Sequence, residues 1–193
     1  MKNLYLSILL LLLLQSCTLS SFQTGKTVPK GTASHGLFLS NTLWGVNYQC
    51  RYGLLKKMDI GFVTSAIYPQ FIDIKYNLLP SNSKFAFAIG TTALPLTQFQ
   101  APIHFSYHPN DKLAFYSTGR YANIGWWWWN KNINYQDPAQ ALTLVFGVKM
   151  EGKNSRRSFI CEGGMAHNIG DRYLVPDSQN YPLFSMGIAW RLP

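Results

Sequence analysis

Charge is scarce in this chain, and after the N-terminus so is any long apolar run. Asp, Glu, Lys and Arg make up 13% of the 193 residues, where a soluble domain usually carries about 25%. Aromatic residues reach 15%, so they outnumber the charged ones. A surface this poor in charge is not that of an ordinary water-facing domain. No internal stretch approaches the roughly 20 consecutive apolar residues of a spanning helix, so any crossing of a bilayer has to be made by strands. The three cysteines, Cys17, Cys50 and Cys161, form no Cys/His grouping with metal-ligand spacing, and nothing in their spacing supports a disulfide between Cys50 and Cys161. There is no phosphate-cradling glycine loop and no nucleophile elbow. No metal and no cofactor is expected.

The N-terminus supplies the one short apolar run, Ile8 to Leu14, preceded by Lys2. It is too short to span a membrane and has the proportions of the hydrophobic region of a secretory signal. It ends in Leu14-Gln15-Ser16-Cys17, which resembles the lipobox of bacterial lipoproteins. That resemblance implies removal of residues 1–16 as a signal peptide, with Cys17 as the new N-terminus carrying acyl chains, palmitate among them. Several acyl chains on one residue anchor stably where a single one binds only marginally. Thr18, where inner-membrane retention would favour Asp, points by the same resemblance to the outer membrane of the cell envelope. The net charge of +9 would suit nucleic acid, but an exported lipoprotein meets none, so the expected partners are membrane lipids.

Residues 17–30 are polar and without periodicity, which predicts a flexible lipidated tether; residues 31–193 form the domain. There the hydrophobicity alternates at hairpin spacing. Trp44, Val46, Tyr48, Cys50 and Tyr52 fall on one face, and Gly45, Asn47, Gln49 and Arg51 on the other. Ile72, Ile74, Tyr76 and Leu78 oppose Asp73, Lys75 and Asn77; Phe184, Met186, Ile188, Trp190 and Leu192 alternate with Ser185, Gly187, Ala189 and Arg191. A soluble barrel buries the large face and a membrane barrel turns it outward. The low charge and abundant aromatics favour the second. Ten stretches read as strands, with eight remaining open if the first two do not both join. The expectation is therefore an all-β chain: a single antiparallel up-and-down β-barrel of about 8–10 strands, membrane type. With the N-terminus in the periplasm, the short connections fall on that side and the long ones, 124–138 and 169–179, on the other, which is the pattern of outer-membrane barrels.

On those residues a resemblance can be stated. Arg51-Tyr52-Gly53-Leu54, a charged turn, Asp59-Ile60-Gly61-Phe62 and then Asp73-Ile74-Lys75-Tyr76 resemble the hairpins of small bacterial outer-membrane β-barrel proteins. Phe184 to Trp190 is similar to their terminal assembly strand, although Arg191-Leu192-Pro193 follow where such strands usually stop. The resemblance implies architecture and no activity.

Candidate functional residues are few. The inward faces carry Arg51, Lys75, Arg120, Lys149 and Arg191, opposed by Asp59, Asp73 and Glu162, and these predict a lumen stitched by ion pairs. A ten-stranded barrel is narrow, so this network is expected to fill its lumen; a small polar conduit is the alternative. Trp126, Trp127, Trp128 and Trp129, where a strand would leave the outer surface, suit an interfacial anchor. His104 and Ser106, in His104-Phe105-Ser106-Tyr107-His108, slightly resemble the His-x-Ser strand of outer-membrane lipid A deacylases. In that family an acid lies about a dozen residues downstream, where this chain has Tyr116, so Glu162 would have to substitute from another strand. The reading taken is a non-catalytic structural, binding or envelope-maintenance barrel; the alternatives are that acyl hydrolase, or a tethered periplasmic lipocalin-like carrier with its apolar faces turned inward. Lys56, Lys57, Lys84, Lys112, Lys153, Arg156 and Arg157 gather on the turns of the periplasmic rim, where they would meet lipid phosphates or water.

Overall fold

Period-two alternation makes strands, and strands whose edges all find partners make a barrel. The structure, a computed structural model, describes residues 22–41, 45–65, 71–94, 98–124, 139–152, 156–169 and 179–192. Ten strands follow one another: β1 (Ala33–Ser40), β2 (Gly45–Leu55), β3 (Met58–Ser65), β4 (Phe71–Asn77), β5 (Phe85–Leu94), β6 (Gln98–Asn110), β7 (Leu113–Ile124), β8 (Ala139–Glu151), β9 (Arg157–Asn168) and β10 (Asn180–Leu192). Each pairs antiparallel with its sequence neighbour, and β1 closes the ring on β10 from Ala33–Leu192 to Ser40–Ser185. The upper end of the expected strand count is the one realised. Closure leaves no edge with unpaired amides, the condition for a sheet to sit in a medium without water.

The alternation is turned inside out relative to a soluble barrel. Leu39, Val46, Ile103, Leu144, Met165 and Ile188 are each about half exposed on the outer wall. Inside, Asn47, Asp59, Asp73, Lys75, His104 and Glu162 are all 3% exposed or less. A lipocalin-like carrier would show the reverse, and that alternative is excluded by the direction in which the large side chains point. Toward one end the outer wall gains aromatic residues among the aliphatic ones. Tyr52, Tyr76, Phe85, Tyr107, Phe115 and Phe159 are exposed there, each close to the β2–β3, β4–β5, β6–β7 or β8–β9 turn. An aliphatic belt bordered by an aromatic girdle is the outer face of a membrane-type barrel. These four turns and the start of β1 share one rim, while the two longest connections, 125–138 and 169–179, join strands at the other.

The stretch expected as a tether departs from that reading. The described part of residues 17–30, from Phe22 onward, does not hang free but lies inside the barrel. Phe22, Gln23 and Gly25 are buried, and the chain emerges at the turn-side rim near Pro29. There Gly31 adopts a φ of 79°, open to glycine without strain, and reverses the backbone so that β1 can begin. Lys30 bridges Gly53 in parallel, with Gly31 N–H donating to the Gly53 carbonyl at 2.9 Å and Gly53 N–H to Thr32 at 3.1 Å. A polar segment without periodicity reads as disordered in water, but inside a polar lumen its amides find partners. Cys50 and Cys161 are free, and the disulfide does not form.

The outer belt gives a direct test. Leu144, halfway along β8 and 50% exposed, is expected to tolerate Ala, whereas Leu144→Arg should cost about 2–4 kcal/mol of folded stability in lipid vesicles, measured by urea unfolding.

Candidate functional site

The inward residues of β2, β3 and β4 meet because their registers align. Arg51 stands opposite Gly61 and Asp59 opposite Lys75, with Gly61 in turn opposite Asp73. Arg51 forks across both acids: Nε donates to Asp59 Oδ1 at 2.9 Å and Nη1 to Asp73 Oδ2 at 2.7 Å, with Nη2 also on Asp59. Lys75 Nζ lies 3.6 Å from the other Asp59 oxygen. Two cations thus face two carboxylates in the buried interior. A guanidinium suits this place because its rigid planar fork presents donors to both carboxylates in a fixed geometry.

The inserted segment completes this group. Gln23 Nε2 donates to Asp73 Oδ2 at 2.6 Å and Val28 N–H to Asp59 Oδ2 at 2.8 Å. Lys75 Nζ donates to the carbonyls of Thr24 and Lys26 at 3.1 and 2.9 Å. On the far wall, Glu162 Oε1 accepts from Phe22 N–H at 2.6 Å and from the Tyr116 hydroxyl at 2.7 Å. Gly25 N–H donates to Ser106 Oγ at 3.0 Å. A Cβ at Gly25 would stand 2.7 Å from the Ala86 carbonyl oxygen, so only glycine passes so close to β5. The Phe22 ring stacks on Phe38, centroids 3.8 Å apart, and joins an apolar cluster with Tyr116, Ile160 and Ala189. The segment is a plug with both a polar and an apolar grip.

Among the residues singled out from sequence, the structure brings together Arg51, Asp73 and Lys75, with Asp59. Glu162 sits apart from that cluster and is engaged by Tyr116 and Phe22. Arg120 is buried on β7, 7% exposed. Lys149 and Arg191 lie at the turn-side rim, where both pair with Glu151, at 2.8 and 3.1 Å. Cys17, Lys153 and Trp126, Trp127, Trp128 and Trp129 lie outside the described residues. Sequence reasoning missed Glu151 and the whole of the plug; the available signal was a lone Phe22 in a polar run.

The hydrolase arrangement is not assembled. His104 Nδ1 is 2.9 Å from Thr118 Oγ1, not from Ser106, and its Nε2 has no partner among the described residues. Ser106 instead meets His108 Nε2 at 2.9 Å beneath the plug, fully buried in the lumen. Glu162 accepts from Phe22 and Tyr116 in place of a histidine. A nucleophile needs a base that is itself oriented by a third group, and the Ser106–His108 contact is made inside the lumen beneath the plug.

Beside the plug, on the turn side, the lumen opens into a cavity of about 680 Å³.

No family model matches this sequence, and no curated protein does. Among solved structures, the chain is similar to the NanC porin, with a TM-score of 0.52 and 11% identity over 83% of this chain and all of that one. It also aligns with the N-terminal β-barrel domain of Pseudomonas aeruginosa OprF, at a TM-score of 0.39 and 12% identity over 86% of this chain and all of that one. The first likeness is one of fold: that of a porin-type barrel.

Two outcomes are expected of this site. Replacing Arg51 by Met strands two buried carboxylates, and should destabilise the barrel by about 3–5 kcal/mol in denaturant unfolding. Trypsin cannot enter the lumen, so cleavage after Lys26 reports release of the plug. Phe22→Ala removes the stacked ring and should speed that cleavage at least about a hundredfold in the intact barrel, by the usual cost of emptying a Phe site. Equal cleavage rates would mean that the ring does not hold the segment.

Proposed function

We propose that this protein is a lipid-anchored barrel of the bacterial outer membrane with a non-catalytic structural, binding or envelope-maintenance role, its lumen occupied by its own N-terminal segment. The observation that carries this reading is the inversion of the wall, an apolar belt with an aromatic girdle outside and ion-paired charges inside. The lipobox-like Leu14-Gln15-Ser16-Cys17 supports cleavage before Cys17 and acylation of its thiol and amine. A non-catalytic role is supported by Ser106 and Glu162, both of which are engaged by the plug's backbone amides.

In this reading the lipid acts as an adjunct to strands that already hold the protein in the bilayer.

The test is a Cys17→Ser variant expressed with its signal intact. The wild type is expected to incorporate labelled palmitate and the variant to lose it, while the variant stays in the outer-membrane fraction with the heat-modifiable gel mobility of a folded barrel. Release of the variant into the periplasm would overturn the membrane-barrel reading. Retained palmitate would overturn the assignment of Cys17.

A further inference from the structure

We propose that the turn-side half of the lumen is a binding site for a small polyvalent oxyanion, a molecule bearing two or more carboxylate or phosphate groups. The cavity of about 680 Å³ is of small-molecule size, and the mouth of a barrel is a common place for such a site. Among the described residues, eight cationic side chains line it against two acidic ones. The deeper cations are answered: Arg51 and Lys75 by Asp59 and Asp73, and Lys149 and Arg191 by a shared Glu151. Lys26, Lys30, Lys56 and Lys112 are not; among the described residues none has a carboxylate within ion-pair distance.

Those four lysines come from three separate places: the plug, the β2–β3 turn and the β6–β7 turn. Lys84, Arg156 and Arg157 stand on the same rim without lining the cavity, whereas Lys26, Lys30, Lys56 and Lys112 all line it; a concavity with low-dielectric walls focuses their positive field. The wall adds a neutral donor. Gln49 lines the cavity at 5% exposure, and its Nε2 has no hydrogen-bond partner among the described residues. A buried donor without an acceptor is costly, and a ligand oxygen would relieve it. Because Lys26 and Lys30 belong to the plug, a bound anion ties the plug to the wall. Whatever binds only the inserted state stabilises it.

The experiment is calorimetric titration of the full chain, folded in detergent, with tripolyphosphate, and with maltose as an uncharged molecule of fitting size. It needs only a folded barrel, so its result stands apart from whether Cys17 carries lipid. Saturable binding of tripolyphosphate is expected, weakened at least about tenfold in Lys26→Gln and in Lys112→Gln, the usual cost of losing one charged hydrogen bond. Lys84→Gln, on the rim but outside the cavity, should leave it unchanged. Each variant is checked for heat-modifiable mobility, and Lys112 sits in an exposed turn whose substitution leaves the wall intact. Trypsin cleavage after Lys26 should slow in the wild type as tripolyphosphate saturates the site. Citrate used in its place tells a carboxylate ligand from a phosphate one, and saturable binding of either meets the expectation. Absence of saturable binding, equal binding of maltose, or equal weakening by Lys84→Gln would each overturn the site; unslowed cleavage would overturn its link to the plug.

Discussion

Eight residue pairs between β1 and β10, running from Ala33–Leu192 to Ser40–Ser185, decide whether this chain is an open sheet or a barrel. Without them both terminal strands would present rows of unpaired amides, and in a bilayer nothing else could satisfy them. Closure also makes an inside. The same pairing that satisfies the backbone brings Arg51, Asp59 and Asp73 within hydrogen-bond reach across three adjacent strands, because inward positions in register stand side by side around the ring.

An inside of this width has to be filled. Ten strands enclose more room than their inward side chains occupy when many of those are small, and here Ala86, Ala88, Ala114, Gly36 and Gly187 all face in. Some of that room goes to large residues: the Phe38 ring stands where a Cβ on Gly36 or Gly187 would be. The rest goes to the plug. Its amides meet Glu162, Ser106 and Asp59, and its one aromatic ring meets Phe38. Taking two carboxylates out of water is costly unless their lone pairs are answered. The plug supplies some of those answers, with Gln23 on Asp73 and Val28 on Asp59. Network and plug depend on one another.

This explains which parts of the molecule were legible in its sequence. The strands were, because alternation is local and every hairpin repeats it, and the direction of the wall followed from total charge. Arg51 and Asp73 were legible as inward charges for the same reason. The distribution of the others was not: Lys149 and Arg191 share the inward parity of Arg51 but lie near strand ends, and parity says nothing about height along the barrel. The plug was hidden more deeply. Its partners Asp59, Asp73 and Glu162 are 31, 50 and 140 residues away from the atoms they bind, and no period links a single extended segment to them. Several inward residues, Phe38, Val145, Ile160 and Leu183 among them, break the rule of a small or polar lumen. An apolar side chain facing into a polar barrel needs an apolar partner.

The two parts of the molecule differ in how they are held. Every strand of the wall is bonded along its length to two neighbours, so removing one opens the ring. The plug is held by separate hydrogen bonds from Phe22, Gln23, Gly25 and Val28, two carbonyls on Lys75, and one stacked ring. Stability in proteins is distributed unevenly, and the element with the fewest shared contacts opens first. Here that element can leave without breaking a single wall ladder beyond the Lys30–Gly53 bridge. The wall sets where the protein sits, and the plug sets what its lumen holds. Lys26 and Lys30 belong to the second part, so half of the unanswered lysines at the turn-side mouth are carried by the plug and half, Lys56 and Lys112, by the wall.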